Sequence, residues 1–138
     1  MINGFVNIPV DVAVGAILPF AGTRAFTKGS QQCCGGWLAH AEGSGQYWLT
    51  KPGIYKVDFS AVVTAAAAGD VSLALNVNGE ALAGAQMAET ITAAGLANLG
   101  TTALVAVPCG ASVILSVANT SGAEITVNNA SIVITRLC

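Results

Sequence analysis

Residues 45–64, GQYWLTKPGIYKVDFSAVVT, constrain the fold of this chain more than any other stretch. Tyr55, Val57, Phe59, Ala61 and Val63 alternate with Lys56, Asp58 and Ser60. Successive side chains of a strand point to opposite faces, so this segment predicts a long strand with one face on a core and one toward solvent. A second, shorter strand precedes it, and Lys51-Pro52-Gly53 joins the two. Proline there fixes φ and glycine admits a positive φ, which suits a tight connection.

Similar signals recur along the chain. Strands are predicted over residues 12–20, 36–40, 46–50, 53–64, 70–78, 99–107, 111–119 and 124–137, with a short apolar piece at 24–27. Within 70–78, Val71, Leu73, Leu75 and Val77 point inward, and Asn78-Gly79 supplies a hairpin dipeptide. Near Asn128-Asn129 the alternation slips by one residue, which predicts a β-bulge. The segment 80–95, EALAGAQMAETITAAG, is Ala-rich and reads as a helix on propensity alone; Gly84, Gly95 and Thr90-Ile91-Thr92 argue against it, and a loop followed by a strand over 86–92 is expected. Short strands at close spacing with Gly, Pro and Asn between them predict an all-β sandwich.

Charge is the unusual feature of composition. Five basic and seven acidic residues, 9% of 138 residues, coat a chain that is 54% hydrophobic. A 13.7 kDa monomer exposes about 6,600 Å², which leaves one charge per roughly 550 Å². So sparse a coat predicts that part of the surface is covered by identical subunits or by a larger particle. Arg24, Lys28, Lys51, Lys56 and Arg136 are scattered and the pI is near 5.0, which excludes an electrostatic footprint for nucleic acid. No apolar run reaches the ~20 residues of a membrane helix. Met1-Ile2-Asn3-Gly4-Phe5 carries no positive n-region, so the chain is expected to stay in the cytoplasm in which it is made.

CCGGWLAHAEGSGQYWLTKPGIYKVDF and the closing NNASIVITRL resemble the jelly rolls of the tumour-necrosis-factor and complement globular-head superfamily. Within it they are similar to the small versions on phage virions and Gram-positive spore surfaces. The resemblance runs from about Val12 to Leu137. It implies a jelly-roll sandwich of two antiparallel sheets, about eight to ten strands, assembled as a homotrimer. It also implies a non-enzymatic virion surface component: a capsid decoration or head fibre protein whose partners are itself and other virion proteins such as the major capsid protein. The alternative is a carbohydrate- or receptor-binding module of a tail or adhesion device. Collagen-like repeats, frequent in spore-surface relatives, are missing.

Residue by residue, chemistry is thinly supported. His40 is the single histidine and has no recognisable nucleophile near it in sequence. Ser44 lacks the G-x-S-x-G spacing of a hydrolase elbow. The carboxylates of Asp11, Glu42, Asp58, Asp70, Glu80, Glu89 and Glu124 are isolated; no pair suits glycoside hydrolysis and no cluster suits calcium. No catalytic residue, cofactor or metal site is expected. Adjacent Cys33 and Cys34, with Cys109 and Cys138, lack zinc spacing. Four free thiols is one reading, and a bridge through Cys138 or one of Cys33 and Cys34 after exposure to air is the other.

Of adjacent Tyr47 and Trp48, one must point outward, as an interface anchor or a ligand platform. Trp48, Leu104 and Ile114 are therefore expected at the oligomer interface, with Val113, Leu115 and Val117 in the core. Residues 1–11 read as an apolar arm ahead of the domain at 12–138. Phe5, Val6, Ile8 and Val10 are expected to attach it to a particle by strand addition or groove docking.

Overall fold

The computed structural model describes residues 1–26 and 36–138. Among the described residues eleven strands form two antiparallel sheets packed face to face: β1 (Ile2–Val6), β2 (Val10–Val12), β3 (Gly22–Phe26), β4 (Leu38–Ala39), β5 (Tyr47–Leu49), β6 (Gly53–Thr64), β7 (Gly69–Val77), β8 (Glu80–Ile91), β9 (Leu96–Val107), β10 (Val113–Asn119) and β11 (Ile125–Arg136). The six-stranded sheet runs β3-β1-β11-β6-β9, with β2 also on β11. The five-stranded sheet runs β4-β5-β10-β7-β8. This is the all-β jelly roll that the sequence predicts.

Alternation explains the core. Tyr55, Val57, Phe59, Ala61 and Val63 of β6 are buried, while Lys56 and Ser60 are exposed. They meet Val113, Leu115 and Val117 of β10 and Val71, Leu73 and Leu75 of β7, all buried. Phe20 links the layers, edge-on to Tyr47 at 5.6 Å and to Phe59 at 6.3 Å between ring centroids. The Lys51-Pro52-Gly53 turn carries the chain from one sheet to the other, because β5 and β6 belong to different sheets. Gly53 has φ +148°, and a Cβ there would strike the Cys138 carbonyl.

Two local signals read from sequence hold. Asn78 (φ 53°) and Gly79 (φ 85°) form the β7–β8 turn, where both central residues need positive φ. The β11–β6 register shifts between Val127 and Asn129, at the expected bulge.

Three expectations are corrected. Residues 13–20 are no strand: Gly15 (φ 76°) and an Ala16 N–H to Ala13 C=O bond of 3.0 Å turn the chain, leaving an isolated Ile17–Ala118 bridge. Residues 80–85 are strand rather than loop. β8 is continuous, and the residues between Ala81 and Gln86 bulge out opposite Ala74–Asn76, with Gly84 at φ 80°. That bulge breaks the alternation on which the sequence reading relied.

The largest correction concerns residues 1–11. β1 is not an arm ahead of the domain but an interior strand, paired to β11 from Ile2–Ile134 to Val6–Ala130 and to β3 on its other side. Ile2 and Val6 are buried in the core. Phe5 lies on the outer face under the Arg24 guanidinium, 5.2 Å from ring centroid to carbon. Val10 pairs with Val127 in β2. Of the four residues read as an attachment element, only Ile8 is exposed. No partner for the segment is legible locally because that partner, β11, lies at the other end of the chain.

Candidate assembly and binding surfaces

Strand β9 ends the six-stranded sheet, so among the described residues no strand is hydrogen-bonded to its other side. Natural edges are blunted by charge, proline or bulges. The other long edge follows that rule: β8 carries Glu80 and Glu89 and the Gly84 bulge. β9 does not. LANLGTTALVAV holds no charge and no proline, and it pairs with β6 without a shift from Gly53–Val107 to Thr64–Leu96. Leu96 and Leu104 stand 63% and 62% exposed along it. Its one visible cap is the Glu89 carboxylate, which accepts from the Asn98 N–H at 3.1 Å.

Beside that edge a shallow groove crosses the outer face of the same sheet. Two adjoining hollows of about 410 and 340 Å³ share Ser60 and Gly100 as their floor. Asn98, Thr102, Asn129 and Ser131 supply its polar rim. The floor is low because Gly100 has no side chain and Ser60, its partner on β6, has a short one. Asp58 accepts from the Thr102 hydroxyl at 2.7 Å and lies 3.9 Å from the Lys56 ammonium. That half-exposed ion pair adds little stability.

The outer face of the five-stranded sheet is different. Trp48 and Ile114 are direct cross-strand partners on it, and Ala39 flanks Trp48 on β4. Trp48 is 43% exposed and Ile114 half-buried. Leu104 therefore lies on the opposite sheet from Trp48 and Ile114. The structure brings two of the three expected interface residues together and separates them from the third.

His40 and Tyr47 form a small polar knot beneath this face. Their rings stack at 3.9 Å and 10°, and His40 Nδ1 lies 3.0 Å from the Gln46 carbonyl. A carbonyl only accepts, so Nδ1 carries the proton. The Tyr47 hydroxyl is buried with no hydrogen-bond partner among the described residues. It reaches the backbone of β1 at Gly4, where a Cβ would overlap it. Burial pushes the Tyr47 phenol well above its ordinary value near 10. Burial also raises the Tyr55 phenol, against an opposing pull from Arg136.

Folded Tyr47 thus holds its proton more tightly than the unfolded chain does. Stability is full below pH ~10 and falls as pH rises past it, because the unfolded state ionises first. Tyr47→Phe should weaken that alkaline loss. It should also remove a partnerless buried hydroxyl and raise stability at neutral pH by about 1 kcal/mol, near 4 °C in Tm. Thermal melts of both proteins at neutral and alkaline pH check this; a lower Tm for the variant at neutral pH would show that the hydroxyl is satisfied.

Other sequence candidates are dispersed. Among the described residues no three His, Cys, Asp or Glu side chains come together as a metal cluster. Ser44 Oγ accepts from the Gln46 N–H at 3.1 Å, an ordinary turn contact. Cys109 and Cys138 are free and exposed, whereas Cys33 and Cys34 lie outside the described residues.

No protein-family model matches the chain, and no curated protein matches it in sequence. Solved structures do match it in shape. The globular domain of zebrafish complement 1qA protein superposes with a TM-score of 0.72 at 11% identity, covering 99% of this chain and 96% of that one. An Eiger TNF from S. frugiperda superposes with a TM-score of 0.74 at 17% identity, covering 99% and 92%. The fold is the TNF-like jelly roll. At such identities the likeness extends to the fold and no further.

Proposed function

We propose that this chain is a non-enzymatic structural protein that assembles with itself as a homotrimer and decorates a larger particle, a phage virion. The observation that carries the assembly is the bare, uncharged β9 edge with Leu96 and Leu104 exposed beside the Gly100 groove. Covering that edge with a neighbour's sheet face removes two leucines from water and supplies the surface cover that the sparse charge coat calls for. An edge on one subunit against the adjoining sheet face of the next is a head-to-tail contact, which makes a ring when the rotation between subunits closes. On this reading Leu104 belongs to the interface, and Trp48 and Ile114 to the outside of the ring.

The virion location rests on the sequence resemblance of residues 33–59 and 128–137 to virion jelly rolls. With β1 in the sheet, residues 2–6 are not available as the attachment element. Mass spectrometry of gradient-purified phage particles tests the location. Peptides of this chain in stoichiometric amounts support it, and their absence from particles of a phage encoding the chain refutes it. A second reading, a saccharide-binding module, is favoured by one observation, the open hollow at Trp48.

A further inference from the structure

A hollow of about 220 Å³ opens beside Trp48, lined by Ala39, His40, Ala41, Ser44, Gln46 and Trp48. Ile114, which flanks Trp48 on its other side, is not part of it. Ile114 is the cross-strand neighbour of Trp48 on that side, while the hollow on the other is lined by two short side chains, Ala39 and Ala41. The apolar floor carries polar groups at its margin. Ser44 Oγ accepts from the Gln46 N–H, so its own O–H stays available to donate. The Gln46 side chain is exposed and offers both a donor and an acceptor. No charged side chain lines the hollow.

The loop that makes it is fixed in place. Gly43 N–H donates to the Phe20 carbonyl at 2.8 Å, and Phe20 N–H to the Ser44 carbonyl at 3.1 Å. Ser44 N–H closes onto the Ala41 carbonyl at 2.9 Å, and the His40–Gln46 contact ties the loop to the end of β4. Gly45 must be glycine, since a Cβ would press on Ile17 and the Leu18 carbonyl. Such a site costs little to organise on binding.

From this geometry we infer that the Trp48 hollow is a subsite for one neutral hexopyranose ring. The C–H face of the sugar stacks on the indole, and Ser44 and Gln46 take its hydroxyls. A ring with one apolar face and a hydroxylated rim matches a flat aromatic floor with uncharged polar groups at one margin. The volume of about 220 Å³ lies below that of drug-sized pockets and suits a single ring. The inference depends on the assembly reading only in that the ring leaves this face uncovered, and three outward-facing copies would then add avidity on a glycan surface.

The test uses the full chain in solution. Methyl β-D-glucopyranoside, methyl β-D-galactopyranoside and N-acetylglucosamine are titrated while the two indole N–H resonances are followed by NMR, with the native mass recorded in parallel. Trp37 is buried and Trp48 exposed, so the two signals report different sites. At least one sugar should shift the Trp48 signal saturably, with a Kd on the order of millimolar. Trp48→Ala should abolish all sugar binding, seen as loss of saturation transfer to the sugar, while the subunit number stays the same. Three results overturn the inference: no shift with any of the three sugars, sugar binding that survives Trp48→Ala, or dissociation of the oligomer by Trp48→Ala. Binding by a protein that is monomeric would overturn the trimer and leave the subsite standing.

Discussion

A chain lacking residues 2–6 should not fold. β1 lies between β11 and β3, so its loss strips five paired positions from β11 and leaves β3 without a partner strand among the described residues. It also removes Ile2 and Val6 from the core. Two buried aliphatic side chains contribute about 3–6 kcal/mol together. The lost ladder and the newly opened face of Tyr47 add to that, against a total stability of roughly 5–15 kcal/mol for a domain. Circular dichroism and a thermal melt read the result directly. Loss of the cooperative transition is expected, whereas a folded, merely detached protein would restore the view of this segment as a docking arm.

Leu104→Asp should turn the assembled protein into monomers without harming the subunit. Leu104 is 62% exposed in the single subunit, so the change costs the monomer almost nothing. In the ring the same carboxylate would be buried at three equivalent contacts without a partner, a penalty of several kcal/mol each. A fall of more than a hundredfold in assembly affinity follows from about 3 kcal/mol. Ile114→Asp, on the opposite face, is the matched control and should retain the native mass. Persistence of the oligomer in Leu104→Asp together with its loss in Ile114→Asp would move the interface to the five-stranded sheet.

Strands with an unbroken alternation were legible from their residues alone. Residues 53–64 could only be half-buried strand, Asn78-Gly79 could only be a tight turn, and the slip at Asn128-Asn129 marked its bulge. What failed did so because the deciding contact is remote or the pattern is locally broken. Ile2 and Val6 find their partners more than 120 residues away on β11, and nothing in MINGFV announces this. Within β8 the bulge at Gly84 shifts the inward set, so period-based reading lost the first half of the strand.

Surface roles were less legible still. Trp48 and Leu104 stand exposed and Ile114 half-buried. Which face each occupies depends on strand order, and two strands of like pattern can lie in either sheet. A signal for Leu104 was nonetheless present in composition: among the described twelve-residue strands only β9 has neither charge nor proline, and its edge is capped by Glu89 of β8. The Trp48 hollow had no such signal, since it exists only where Ala39 of β4 falls beside the indole.

In the proposed trimer, subunits cover one another along β9. Native mass spectrometry of the full chain in reducing buffer, with sedimentation to confirm it, tests this most directly. A species of three subunits that becomes one in Leu104→Asp is the predicted result. A wild-type chain that stays a monomer throughout would contradict it.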